Sequence, residues 1–183
     1  MKLRKAKPTD IGVIMKIERS AFIPAVCETE TTFAERIAVF PDGFLLLEDD
    51  GGTVCGYFAS ERWRNVRMER AFFELGHSAA ASHEPDGSVL YVSSMGILPS
   101  HRGTGLGTYL FNTACRTICD FCGRGDPEKG AVSAIALLVN ETWKSARRIY
   151  TQAGFTETAR FAGFFPAPDG GSPSDGIVME RAV

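Results

Sequence analysis

Long apolar runs are missing from this sequence. The uncharged stretch 131–140 is too short and too interrupted to supply the roughly 20 apolar residues of a membrane-spanning helix. No sign of charge predominates either. Twenty Lys and Arg stand against 22 Asp and Glu, a net charge of −2, so no overall basic field exists to hold nucleic acid or an anionic membrane. Met1-Lys2-Leu3-Arg4-Lys5 has the charge of a secretion signal but runs into Pro8-Thr9-Asp10 with no apolar core. We therefore expect a soluble cytoplasmic protein. The Gly-Lys-Ser/Thr of a phosphate-binding P-loop is also absent, as is the last glycine of the dinucleotide fingerprint, where Thr108 stands instead.

What is present describes one folded unit. At 44% hydrophobic and 23% charged residues, 183 residues suit a single domain spanning 1–183. Five cysteines, an odd number in a chain that needs no staples, argue for free thiols in a reducing compartment. Cys115, Cys119 and Cys122 form a CxxxCxxC spacing that could be mistaken for an iron–sulfur motif. Positions 115, 118, 119 and 122 instead share one helical face with Leu110 and Phe111, so packing is expected and no metal. No cysteine adjoins a histidine, which gives no support to a covalent thiol intermediate.

The hydrophobic pattern predicts a mixed α/β chain. Strands are expected at 2–6, 44–47, 54–58, 88–97, 131–139, 155–161 and 177–181, and helices from about residue 8, at 31–39, at 105–122 and at 143–153. Asp49-Asp50-Gly51-Gly52 reads as a hairpin turn. The strand, helix and strand between 88 and 139 imply parallel pairing through a right-handed crossover. Segment 64–87 reads as a partly helical excursion, and 166–174 as a Pro, Gly and Ser rich loop.

The most informative segment is Ile97-Leu98-Pro99-Ser100-His101-Arg102-Gly103-Thr104-Gly105-Leu106-Gly107-Thr108, where a strand enters a glycine-rich turn that opens an amphipathic helix. Successive amides and the positive helix end suit an anion there. The pattern Arg102-x-x-Gly105-x-Gly107 in this context resembles the GCN5-related N-acetyltransferase (GNAT) superfamily. Asn140, Ala146, Tyr150 and Ala153-Gly154-Phe155 are similar to further positions of that superfamily. Ala21-Phe22, Phe40-Pro41, Gly56-Tyr57, Trp63, Gly76-His77-Ser78 and Leu98-Pro99 resemble its arylalkylamine (serotonin) N-acetyltransferase branch.

The resemblance implies a central mixed sheet of about six or seven strands flanked by about four helices. It also implies acetyl-coenzyme A as co-substrate, a primary amine as acceptor, direct attack in a ternary complex, and a possible homodimer. By that resemblance the backbone of Met95, Gly96 and Ile97 pairs with pantetheine, and the amides from Gly103 through Thr104, Gly105, Leu106 and Gly107 to Thr108 receive pyrophosphate. Arg102 supports the turn, and Asn140 either bonds the cofactor or caps the next helix. Tyr150 matches the superfamily's thiolate-protonating tyrosine.

Two histidines of the arylalkylamine branch are replaced here by Tyr91 and Ser93, expected to share one strand face and to carry a water chain to a carboxylate elsewhere. Glu28 and Glu30 border the expected acceptor region and would attract an ammonium group, whereas His77 and His83 have no assigned partners. A protein lysine or N-terminal acetyltransferase, and a noncatalytic acyl-coenzyme A sensor, are the alternatives the sequence leaves open.

Overall fold

Strands β2 (Phe44–Glu48) and β3 (Val54–Trp63) are buried on both faces along most of their length, so helices must cover the sheet on both sides. The computed structural model describes residues 1–123, 131–167 and 171–183. Among them β1 (Lys2–Lys5), β2, β3, β4 (Val89–Ile97), β5 (Ala134–Asn140), β6 (Thr156–Phe165) and β7 (Ser174–Ala182) form one sheet. The strand order is β1-β2-β3-β4-β5-β7-β6, with β4 and β5 parallel and the other neighbours antiparallel. This is the mixed α/β fold expected of the GNAT superfamily.

Among the described residues five α-helices accompany the sheet: α1 (Ile11–Ala21), α2 (Glu30–Val39), the short α3 (Ala79–Ser82), α4 (Leu106–Cys122) and α5 (Lys144–Gln152). Helices α1 and α2 set Ile14, Ile17, Phe33 and Ile37 against Phe44, Leu46 and Tyr57. On the opposite face α4 and α5 set Leu110, Phe111, Cys115, Ile118 and Tyr150 against Phe58, Leu90, Leu137 and Ile177. Thr29 caps α2 by accepting from the Thr32 amide at 3.1 Å, so that helix begins slightly before the expected residue 31. Strand β3 continues past residue 58 to Trp63, and β6 past 161 to Phe165. Strand β5 begins at Ala134 rather than 131. Of the expected loop 166–174, residues 168–170 lie outside the described residues.

Two irregularities shape the site. β4 pairs with β5 only from Val89 to Val92 but with β3 as far as Ile97, so the two parallel strands part beyond Val92. The backbone of β4 from Ser93 onward thereby faces a gap. In the β3 and β4 pairing, Ala59 lies opposite Ser94 and Ser60 opposite Val92, which makes Ser93 the extra residue of a β-bulge.

Candidate active site

The bulge reverses which residues of β4 face which side. Tyr91 lies with Trp63 and Phe73 on the α1 side of the sheet, and Val92 on the α4 side. After Ser93 it is Ser94 that returns to the α1 side, where its hydroxyl meets that of Tyr57 at 2.7 Å. Ser93, the inserted residue, lines the same cavity as Tyr91 and Ser94. Tyr91 is stacked on Trp63 with centroids 3.9 Å apart, and burial raises its phenol pKa. The buried Ser93 Oγ has no hydrogen-bond partner.

Two hollows meet at the parted strands. One, of about 880 Å³, runs along the glycine-rich turn and the start of α5 and is lined by Gly96, Arg102, Gly105, Thr108, Lys144 and Arg148 among others. The second, of about 450 Å³, lies beneath segment 64–87 and includes Glu18, Glu28, His77, Tyr91, Ser94 and Tyr150 in its wall. Phe22, Val26, Met95, Trp143, Ala146 and Pro166 belong to both.

The groove suits an anion. Gly103 and Gly105 have φ of 75° and 85°, a region that side chains avoid, and a Cβ on either would point into open space. Gly105 is the N-cap of α4, whose first turn holds no acidic residue, so its amides and dipole are not satisfied by a carboxylate side chain. Lys144 and Arg148 line the groove and form no salt bridge among the described residues. Arg102 is tied to the Ile97 and Ser20 carbonyls, both at 3.2 Å, and so braces the turn. Thr104 and Leu106 do not line the groove: the Thr104 hydroxyl donates to the His101 carbonyl, and Leu106 packs on the core. Gly96 is required by close packing, since its Cβ would lie 2.7 Å from the Tyr57 ring. Asn140 lines the groove with its amide already used. Its Oδ1 accepts from the Thr142 amide and hydroxyl at 2.8 Å each, and its Nδ2 donates to Ser174 at 2.7 Å.

The inner cavity is acidic and aromatic. Glu28 accepts from Arg36 at 2.7 Å and, through its other oxygen, from the Gly76 amide at 3.0 Å, fastening segment 64–87 to α2. Glu30 lies outside both hollows on the surface, 3.3 Å from Arg19, so the structure does not bring it to the other candidates. Tyr150 is packed 4.9 Å from the Phe111 ring, and burial, with a smaller effect from Cys115, raises its pKa. Among the described residues nothing hydrogen-bonds its hydroxyl.

His77 Nε2 lies 2.9 Å from Glu61 Oε1, and its Nδ1 lies 3.0 Å from the Glu74 carbonyl. The Nε2 contact clamps the excursion to β3, and the Nδ1 contact closes a turn within the excursion. His83 packs on Phe40 with the rings tilted, and its Nδ1 accepts from the Arg62 amide, away from the cavity.

Sequence reasoning missed Glu18. It sits on α1 among apolar neighbours and is 1% exposed, yet it lines the cavity. Tyr57 donates to its Oε2 in a short hydrogen bond, and the Glu28 amide donates to its Oε1 at 2.8 Å. Burial raises its pKa, only partly offset by those two bonds. The one available signal was an acid interrupting the apolar face of α1 at Ile14, Met15 and Ile17.

A sheet that parts between two parallel strands, with a glycine-rich helix start on one side of the gap and an acidic cavity on the other, defines the acyltransferase fold class. The chain belongs to the acetyltransferase (GNAT) family, whose family model matches residues 13–155. No curated protein sequence matches it significantly.

Among solved structures it is similar to the loading GNATL domain of CurA from Lyngbya majuscula, with TM-score 0.78, 16% identity, and coverage of 99% of this chain and 96% of that one. A second likeness is to the GphF GNAT-like decarboxylase in complex with isobutyryl-CoA, with TM-score 0.76, 13% identity, and coverage of 100% and 99%. A third is to the phosphinothricin acetyltransferase of Sinorhizobium meliloti in complex with AcCoA, with TM-score 0.68, 17% identity, and coverage of 100% and 88%. At these identities the likeness is one of fold.

Proposed function

We propose that this chain, acting as one catalytic domain, transfers the acetyl group of acetyl-coenzyme A to a small primary amine by direct attack in a ternary complex. The observation that carries the reading is the meeting of the two hollows where β4 and β5 part. A pantetheine arm laid along Met95, Gly96 and Ile97 would bring its thioester to that junction. The pyrophosphate would then lie against the amides between Gly103 and Thr108, near Lys144 and Arg148. Tyr150, in the wall of the inner cavity, is our candidate for protonating the departing thiolate.

The inner cavity supports an ammonium-bearing acceptor with an apolar body. Glu18, Glu28 and Glu74 line it; Glu28 is paired with Arg36 and Glu74 lies 3.3 Å from Arg70, which leaves Glu18 as the lining carboxylate without a cation partner among the described residues. Phe22, Phe73, Trp143, Phe164 and Phe165 supply the apolar wall. This lining favours an arylalkylamine over a polyamine, and it favours a cation over an acyl group bearing a second carboxylate, as a decarboxylase substrate would. A volume of about 450 Å³ fits a small molecule better than a folded protein's terminus.

Thiol release from acetyl-coenzyme A, measured across arylalkylamines, polyamines, lysine peptides and N-terminal peptides, tests the proposal. Arylalkylamines should give the highest kcat/KM. Faster turnover of peptides would replace the acceptor assignment, and binding of acetyl-coenzyme A without turnover of any amine would favour a sensor.

A further inference from the structure

Resting on the amine-acetylating reading above, we propose that Ser94, Tyr57 and Glu18 form a proton relay that deprotonates the bound ammonium, with Ser94 at the cavity and the Glu18 carboxylate as the final acceptor. The direction follows from hydrogen counting. A phenol has one proton, and Tyr57 gives its proton to Glu18 Oε2. In the 2.7 Å contact between Tyr57 and Ser94, Ser94 must then be the donor. Its oxygen lone pairs are left to accept, and Ser94 lines the cavity. The bulge at Ser93 is what turns Ser94 toward Tyr57.

Among the described residues Glu18 lacks what a structural buried carboxylate ordinarily has, an ion partner. Arg36, the nearby cation, is bound to Glu28 at 2.7 Å, and Cys27 Sγ donates to main-chain carbonyls rather than to the carboxylate. The charged and titratable groups facing Glu18 are thus Arg36 from α2, Tyr57 from β3, and Cys27 and Glu28 from the α1–α2 connection. An unpaired carboxylate in an aromatic cavity is a poor stabiliser and a good base.

The protons balance. The ammonium gives one to Ser94 as Ser94 passes its own to Tyr57 and Tyr57 passes its own to Glu18, which becomes a neutral acid. The freed nitrogen lone pair attacks the thioester carbonyl, forming C–N. The C–S pair then leaves on sulfur, which takes the proton of Tyr150. The tyrosinate is reprotonated by the nitrogen as the amide forms, and Glu18 returns its proton to solvent after product leaves.

The test uses the full chain with 2-phenylethylamine and acetyl-coenzyme A. Glu18→Gln and Ser94→Ala should each lower kcat/KM by about 10² to 10⁴ near neutral pH. The deficit should shrink by about tenfold for each pH unit toward the amine's own pKa, because solvent then supplies free amine. Acetyl-coenzyme A affinity by calorimetry should not change. A deficit independent of pH, or wild-type profiles in both variants, overturns the relay.

A second measurement does not depend on turnover. Difference infrared spectroscopy on adding 2-phenylethylamine should show a protonated-carboxyl band in wild type that Glu18→Gln lacks. Absence of the band overturns the relay. Its presence without any acetyl transfer would instead sink the proposed function while the relay stands.

Discussion

Single residues here serve either chemistry or the frame, and burial alone does not separate the two. Tyr150 is raised in pKa by a desolvation that also raises a coenzyme thiolate bound in the same cavity, so proton transfer between them stays feasible. Tyr150→Phe should keep the packing on Phe111 and cofactor affinity while kcat falls by about 10² to 10⁴. Steady-state kinetics with calorimetry decides this, and unchanged kcat would leave the tyrosine a core residue. Glu28 belongs to the frame by its bonds, since it neutralises an Arg36 guanidinium that it meets through Nη2 and whose Nε and Nη1 have no hydrogen-bond partner among the described residues. Glu28→Gln uncovers that buried charge and should cost about 3–5 kcal/mol in urea unfolding. A loss below about 1 kcal/mol would show that the pair is dispensable and return Glu28 to the list of candidate bases.

At the scale of elements, α4 joins a binding end to a packing face. Its N-cap, Gly105, has φ of 85°, so Gly105→Val both strains the turn and sets methyl groups in the groove. Calorimetry should find acetyl-coenzyme A affinity weakened at least about tenfold, equivalent to about 1.4 kcal/mol. Equal affinity in the folded variant would remove the groove as the cofactor site. About three turns on, Cys115 and Cys119 are buried in the core that α4 shares with the sheet, and burial pushes the Cys115 thiol pKa up. Such thiols are poor metal ligands. Elemental analysis should find no stoichiometric iron or zinc, and Cys119→Ala should lose about 1 kcal/mol of stability with kcat unchanged. Bound metal would overturn the packing account.

For the whole molecule, the parted strands are a seam held only on one side. β4 and β5 share four paired positions, and the tie from Glu28 to Gly76 with the clamp on His77 holds segment 64–87 over the opening. A ligand spanning the gap binds the folded state alone and stabilises it by about 2.7 kcal/mol at 100 times its Kd. In a chain of this size that corresponds to roughly 5–11 °C in Tm. Acetyl-coenzyme A should raise Tm by that order in differential scanning fluorimetry, and dephosphorylated pantetheine by less. An equal shift with both would mean that the phosphates are not held by the turn.

Much of this was legible in one dimension because it is written in short-range pattern. Alternating and helical hydrophobic periods announced the strands and helices, and Arg102 to Thr108 announced an anion-binding helix start, since backbone conformation and local amides depend on neighbours a few residues away. Tyr150 could be named from the resemblance of its position, ahead of Ala153-Gly154-Phe155, to the superfamily's tyrosine. The inner cavity could not. Its proton-handling groups come from α1, β3 and β4, separated by 39 and 37 residues, and no local period relates Glu18 to Tyr57 or Tyr57 to Ser94. Strict alternation would set Ser94 on the face opposite Tyr91, but one extra residue in β4 shifts the phase and brings Ser94 to the Tyr57 side, a register decision made by pairing with β3. Glu28 and Glu30, two residues apart, were equivalent on paper. Packing buried the first on Arg36 and left the second in water, because only the assembled fold determines which carboxylate a cation can reach.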